Sequence, residues 1–447
     1  MKVGYLGLGV MGSVLSVRLL KNHDLSVWDL NPGAVNDMAQ RGAKPAGSAA
    51  ELAQHCDAVV ICLPRTSDVQ KAVFGPGGLA QGLTAGKVVI DQTSGAPGET
   101  HEMARHLAEQ CVLMIDAPVS GGVPAAQAGT ISIIASGPDS AWEAARPVLE
   151  AMSSKVFRCS DRVGDGQALK LVTNAVGAGY RMTTLELVAL GRKLGLSLRS
   201  ISEALNAGSG ANFTTKNMLA GLVEGRATTN FALSLMVKDL NEAIKLGAQN
   251  GTPMPMSSMA RGMMQIGLHL FGRDSRLEDV IPLIGKFSGA TLADQPGAVA
   301  PDTDKLGGLT PDVLLAVIDR AVEVCNQLVI YECLATGAKF GLRIEAMATI
   351  LLGGSAWSKV AERMLPALTG ATDVDLPGTL GSARADLRVV TSLAAACDVP
   401  LLEANSALSF IEAACNELGE GAPIGKLAGL FERASGVTYA SRQTAPG

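Results

Sequence analysis

Although 47% of this 447-residue chain is hydrophobic, it has no uninterrupted apolar run long enough to cross a bilayer. A spanning helix needs about 20 consecutive apolar residues, so a helical membrane protein is not expected. A basic stripe is also missing: 37 Lys and Arg stand against 42 Asp and Glu, for a net charge of −5 and a pI near 5.7. Without a cationic face to displace counterions from phosphates, nucleic-acid binding is not expected. The eight cysteines include no CxxC pair and no Cys/His spacing suited to zinc, which points to reduced thiols and no metal site. The first residues lack a basic segment and a cleavage site, and their apolar character belongs to a strand; a cytoplasmic location is the expectation.

What is present starts at once. Lys2-Val3-Gly4-Tyr5-Leu6 reads as a short buried strand that runs into Gly7-Leu8-Gly9-Val10-Met11-Gly12, after which Val14, Leu15, Val17, Leu19 and Leu20 continue as a helix. A strand, a GxGxxG turn and a helix form a dinucleotide fingerprint. Gly7 permits the tight turn, Gly9 lets backbone approach a pyrophosphate, and Gly12 lets helix and strand pack closely. The helix start offers unpaired N–H groups to phosphates. A second strand, Leu25-Ser26-Val27-Trp28-Asp29, ends in a carboxylate about 20 residues on, where an acidic group binds a ribose hydroxyl.

Further strands are read at Ala58–Leu63, Lys87–Asp91, Cys111–Asp116, Ile131–Ala135 and Val156–Cys159, alternating with helices up to about residue 160. This alternation predicts a mostly parallel sheet covered on both faces. Ligands gather at the carboxyl ends of such strands, where Leu63-Pro64, Thr93-Ser94 and the loop after Asp116 fall. In that loop Ser120-Gly121-Gly122 can present a hydroxyl and successive bare N–H groups, a nest suited to a carboxylate. Beyond residues 160–166 strand signals vanish and helical periodicity takes over. The first helical segment, Gly164 to Asn174, carries Lys170 and Asn174 four apart on one face. An ammonium and a carboxamide side by side can hold one small oxygen-rich molecule, and the lysine can exchange a proton.

Together these motifs resemble the β-hydroxyacid dehydrogenase family, which includes 3-hydroxyisobutyrate dehydrogenases, tartronate semialdehyde reductases and succinic semialdehyde/glyoxylate reductases. The resemblance spans roughly residues 1 to 290. Gly7–Gly12 matches the family's cofactor motif, Asp116–Thr130 its substrate motif, Gly164–Asn174 its catalytic motif, and Asn230-Phe231 with Lys238-Asp239-Leu240 a later cofactor-contacting segment. The resemblance implies an NAD(P)-dependent oxidoreductase that interconverts a short β-hydroxyacid and its semialdehyde or keto form by hydride transfer. It implies Lys170 as acid/base and Asn174 and Ser120 as substrate holders, with the Gly121 and Gly122 amides on the substrate carboxylate. Lys238 would close over the nicotinamide, with Phe231 and Asp239 at the pocket edge. Gly7, Leu8, Gly9, Val10, Met11, Gly12, Asp29, Leu63, Pro64 and Ser94 would line the cofactor. NADP-preferring relatives tend to carry Asn-Arg where this chain has Asp29-Leu30, so NAD is the expected cofactor. The five histidines lie outside these motifs, which disfavours a histidine-based mechanism.

The second half departs from the family pattern through an internal repeat. Glu186–Leu196 aligns with Glu332–Leu342 at an offset of 146 residues, with six of eleven positions identical. Gly208-Ser209 then meets Gly354-Ser355, and one residue further out of step Asp239-Leu240 meets Asp386-Leu387. The second copy has lost the chemistry: Lys170 maps to Ala316, Asn174 to Arg320 and Lys238 to Ala385. The expected architecture is an α/β Rossmann domain (1–163), a catalytic all-α domain (164–290), a linker (291–310), a degenerate second helical copy (311–435) and a tail (436–447). In the family, helical domains of two subunits usually interlock, so the second copy is expected to act as an in-chain pseudo-partner; a homodimer is compatible with this. The doubled helical region and the length are similar to 6-phosphogluconate dehydrogenase, but Thr173 stands where that enzyme carries a histidine. An imine reductase, a sugar-acid reductase and a non-catalytic dinucleotide-binding scaffold remain as alternatives.

Overall fold

The computed structural model describes residues 1–229, 231–293, 306–370 and 376–439. The expected linker therefore lies mostly outside the described residues, as do Asn230 and the tail from residue 440. Two compact units divide at Leu171/Val172, inside a continuous helix, Asp165–Lys193.

The first unit is built on nine strands among the described residues: β1 Lys2–Leu6, β2 Asp24–Trp28, β3 Lys44–Pro45, β4 Ala58–Ile61, β5 Val88–Asp91, β6 Leu113–Asp116, β7 Val119–Ser120, β8 Ser132–Ser136 and β9 Lys155–Ser160. They join in the order β3-β2-β1-β4-β5-β6-β8-β7, with β9 on β8. All pairs from β3 to β6 are parallel, and β8 runs against β6 and β7. Alternate residues of the apolar strands serve two cores, as expected for a sheet covered on both sides. Val3, Tyr5, Val27, Val60, Ile90 and Ile115 pack with Leu15, Leu19, Val148 and Leu149 on one face. Leu6, Val59, Ile61, Val89 and Met114 pack with Leu52, Val69, Val73, Met103 and Leu107 on the other. Each such aliphatic side chain contributes about 1.5–3 kcal/mol by burial. The register levels the carboxyl ends: Leu6 pairs with Trp28 and Ile61, Ile61 with Asp91, and Asp91 with Asp116. The stretch after Asp116, read from sequence as a loop, instead contains β7 and a short helix, Gly122–Ala128.

The second unit is mostly helical in its described residues. Its elements come in two runs of the same order. Asp165–Lys193, Leu198–Ala207, Leu233–Asn250, Pro255–Phe271 and Val280–Ser288 are followed by Pro311–Phe340, Ile344–Leu352, Leu380–Ala396, Leu402–Leu418 and Leu427–Ser435. Contacts between the runs are reciprocal. The Glu186 carboxylate accepts the first-turn N–H groups of Leu402 and Glu403 at 3.0 and 2.9 Å. The Glu332 carboxylate accepts those of Met256 and Ser257 at 3.0 and 2.6 Å. Asn212 and Ser358 form a bridge in which Phe213 N–H donates to Trp357 O (2.9 Å) and Lys359 N–H to Ala211 O (2.8 Å). Glu186 and Glu332, and Asn212 and Ser358, stand 146 residues apart, whereas the starts of the two capped helices, Pro255 and Leu402, stand 147 apart. No helix among the described residues is long and apolar enough to cross a membrane.

Candidate active site

The glycine turn shows why Gly7 and Gly12 are required. Gly7 adopts φ +97°, and a Cβ there would meet the Cys62 carbonyl at 2.2 Å. A Cβ on Gly12 would lie 1.9 Å from the Gly7 carbonyl. Nothing stands within 4 Å of a Cβ on Gly9, the N-cap of the Val10–Leu19 helix, and no side chain caps that helix. Open backbone at an uncapped helix start fits the pyrophosphate of a dinucleotide. The Asp29 carboxylate is held by the N–H groups of Leu8 (2.6 Å) and Asn31 (2.7 Å), which fix it at the end of β2 beside the turn. Leu63 and Ser94 are half-buried and Pro64 is exposed; Leu63 N–H donates to the Thr93 hydroxyl at 3.1 Å, tying the ends of β4 and β5.

The first turn of the Asp165–Lys193 helix is fastened to the sheet by a group the sequence reading left without a role. Buried Asp116, at the end of β6, accepts the N–H groups of Gly164 and Gln167, each at 2.7 Å, and the Ser136 hydroxyl. Burial pushes its carboxyl up to about 7, against the pull of those three donors. The Gln167 side chain donates to Asp91 (3.1 Å) and the Thr93 carbonyl (3.0 Å) and accepts from Thr100 (2.8 Å). So anchored, the helix presents buried Lys170, whose Nζ donates to Ser120 Oγ at 3.0 Å. Ser120 ends β7, and Gly121 (φ +137°) and Gly122 (φ +72°) follow in conformations that glycine adopts without cost. The structure thus brings Lys170, Ser120, Gly121 and Gly122 together in the first unit. An ammonium, a hydroxyl and bare amides at one place can bind a carboxylate and move a proton.

In the second unit Asn174, one turn after Lys170 on the same helix, donates from Nδ2 to Asp239 Oδ2 at 2.6 Å. The other Asp239 oxygen is paired with Lys238 Nζ at 2.8 Å. Phe231 is half-buried, its carbonyl accepting the Leu277 N–H at 2.8 Å. Arg320 and Asp386, which the sequence alignment sets against Asn174 and Asp239, make a two-pronged ion pair, both bonds at 2.7 Å. A second residue the sequence reading missed is Arg181, buried on the same helix face; its signal was a lone arginine eleven positions after Lys170 in an otherwise apolar stretch.

A family model described as the NAD binding domain of 6-phosphogluconate dehydrogenase matches residues 2–160. A second, described as the NAD-binding of NADP-dependent 3-hydroxyisobutyrate dehydrogenase, matches residues 164–284 and 316–430. The chain is 31% identical over 296 residues to 2-(hydroxymethyl)glutarate dehydrogenase of Eubacterium barkeri, covering 65% of this chain and 97% of that one. It is 33% identical over 272 residues to 3-hydroxyisobutyrate dehydrogenase of Pseudomonas aeruginosa, covering 59% and 91%. Among solved structures, 3-hydroxyisobutyrate dehydrogenase from Salmonella typhimurium superposes with a TM-score of 0.57 at 28% identity, covering 63% of this chain and 99% of that one. Plasmodium falciparum 6-phosphogluconate dehydrogenase shares the fold over more of the chain, with a TM-score of 0.67 at 16% identity and coverage of 93% and 92%.

Proposed function

Because the chain belongs to the β-hydroxyacid dehydrogenase family, we propose that it interconverts a short β-hydroxyacid with its semialdehyde or keto form, with Lys170 as acid/base. It is an NAD(P)-dependent dehydrogenase acting on CH–OH groups. The observation that carries the residue assignment is the Lys170–Ser120 hydrogen bond at 3.0 Å, on a helix whose start is clamped by Asp116. A bound nicotinamide dinucleotide supplies the hydride chemistry. Gly7 to Gly12 and Asp29 would hold that cofactor at its pyrophosphate and ribose, with Leu63, Pro64 and Ser94 flanking it, and the family resemblance assigns Lys238 to the cofactor as well. Ser120 and the Gly121 and Gly122 amides hold the substrate carboxylate. Lys170 takes the hydroxyl proton during oxidation and returns it during reduction, and its charge stabilises the developing alkoxide. Asn174, held by Asp239, orients the same oxygen, with Phe231 at the pocket edge.

Residues 311–435 are read as a degenerate copy of the helical domain that serves as an in-chain partner. The matched order of helices, the reciprocal Glu186 and Glu332 contacts and the match of one family model to both 164–284 and 316–430 support this.

The test is Lys170→Ala. Turnover of a 3-hydroxyacid in an NAD-linked assay falls at least ~10³-fold, as for loss of an acid/base that also stabilises charge, while NADH binding by fluorescence titration is unchanged. Activity near wild type in that variant sinks the assignment.

A further inference from the structure

Gly208-Ser209-Gly210, in the first helical run, grips a carboxylate. The Ser209 and Gly210 N–H groups donate to Asp319 at 2.8 and 2.9 Å, and the Ser209 hydroxyl donates at 3.1 Å. Glu323, one turn on in the same helix, adds a second acid, its carboxyl pushed up by burial and drawn down by Ser209. Both acids come from the second run. Its own version of the loop is Gly354-Ser355-Ala356, at the same 146-residue offset, and it faces the catalytic helix: a Cβ on Gly177 would lie 3.3 Å from the Ser355 carbonyl. The partners are exchanged but the acids are not. Thr173 stands where Asp319 stands in the twin, and Gly177 where Glu323 stands. Among the described residues, neither the Ser355 and Ala356 N–H groups nor the Ser355 hydroxyl meets an acceptor.

A second observation points the same way. Arg181 lies on the stripe of the helix that runs through Asn174 and Gly177, at the i, i+3, i+7 spacing of one face. It is 8% exposed, and its Nε and Nη1 have no hydrogen-bond partner among the described residues. Among the described residues no acid is set against it; burial alone lowers its pKa to about 10. Helical side chains lean toward the helix N-terminus, which here means over Gly177 and toward Asn174. A guanidinium is costly to bury without a counter-charge.

We propose that the Gly354-Ser355-Ala356 loop and Arg181 form a second anion site, which receives a distal carboxylate of the substrate and selects a dicarboxylic hydroxyacid. The proposal rests on the dehydrogenase reading above, in which the reacting end lies at Asn174. Asn174 and Arg181 are two helical turns apart, about 10 Å along the axis, and the lean of the arginine shortens that span to the length of a small diacid. In the twin, an internal carboxylate already fills the loop, so only one of the two loops serves a ligand. Charge-assisted bonds from guanidinium and backbone N–H suit a carboxylate.

The experiment is isothermal titration of the full-length chain with glutarate and adipate, with butyrate and valerate, and with inorganic phosphate. Diacids are expected to bind at least about tenfold tighter than monoacids. Arg181→Gln removes most of that advantage and Arg181→Lys restores part of it. Thr173→Asp, which recreates the twin's internal carboxylate, removes it as well. Because Thr173 is buried, that variant can fail to fold; Arg181→Gln only removes an uncompensated charge, and a thermal melt verifies its integrity. Equal affinity for mono- and diacids, an advantage that survives Arg181→Gln, or tighter phosphate binding with the same Arg181 dependence overturns the proposal. NAD-linked oxidation of mono- and dicarboxylic 3-hydroxyacids separates the two readings. Oxidation without diacid preference rejects the second anion site alone; diacid binding without any oxidation rejects the dehydrogenase reading alone.

Discussion

Asp29 is the residue from which we infer a preference between NAD and NADP. Its two oxygens take the Leu8 and Asn31 N–H groups, so it cannot swing aside without leaving both unpaired. A fixed carboxylate accepts ribose hydroxyls and repels a 2′-phosphate, and neighbouring Leu30, 86% exposed, offers that phosphate no cation. The expected outcome is a kcat/KM for NAD at least about tenfold above that for NADP, a difference of about 1.4 kcal/mol. A double change, Asp29→Ser with Leu30→Arg, reverses the order; a wild-type preference for NADP refutes the argument. At this scale the sequence was readable where sterics are local. Gly7 and Gly12 are dictated by backbone atoms of their own βα unit, and Asp29 follows at a fixed distance. Asp116 was readable only as a strand end, because its partners Ser136, Gly164 and Gln167 lie up to 51 residues away. Arg181 was unreadable for a related reason: that no acid among the described residues is set against it is revealed only by packing.

Two helices in the second unit begin without a side-chain cap of their own, Pro255–Phe271 behind Met254 and Leu402–Leu418 behind Leu401. Glu332 and Glu186 cap them from the opposite run, placing acceptors on the positive end of each helix. The sequence paired Glu186 with Glu332 as aligned positions, yet gave no sign that each is a cap, since their targets are 75 and 217 residues distant. Glu403 sits in the first turn of one capped helix, fully buried, with neither oxygen partnered among the described residues. Burial raises all three carboxyls: Glu332 to about 7, Glu186 to about 8 and Glu403 well above its ordinary value, where the nearby Glu186 and Glu332 add to the rise. The folded protein therefore holds protons that the unfolded chain releases near pH 4.5. Their stabilising contribution is complete below that pH and is lost as pH rises through 7 to 8. Thermal melts are expected to move down between pH 6 and pH 9. Glu403→Gln, which cannot ionise, flattens that decline and adds on the order of 1–3 kcal/mol at the alkaline end. Melting points that rise over the same range, or a Glu403→Gln effect equal at pH 6 and pH 9, contradict this account.

For the whole molecule the question is what the second helical run replaces. The Eubacterium barkeri relative is covered almost in full by 296 aligned residues, so a chain of that size suffices for a complete family member. In the helices this chain adds, Arg320 pairs with Asp386, and Asp319 fills the Gly208–Gly210 loop of the first run. The helical character of the second half was legible because helix spacing survives substitution, whereas these contacts were not, because they depend on which face each acid meets. Packing between the runs is close: Gly179 would bring a Cβ within 2.8 Å of Val329, and Gly191 within 3.3 Å of Ile318. Removing everything after Ala293 uncovers this surface, along with Glu186, Tyr180 and Asn212, which all bond to the second run. Apolar surface on that scale is not left in water. Two truncated chains can cover each other's faces isologously, with each Glu186 capping the Pro255–Phe271 helix of the other copy in place of Leu402–Leu418. Sedimentation velocity on the truncated chain should therefore report a dimer, with a melting point that rises with protein concentration. A truncated chain that stays monomeric, folded and as stable as the full-length protein shows that the second run was never a substitute for a partner.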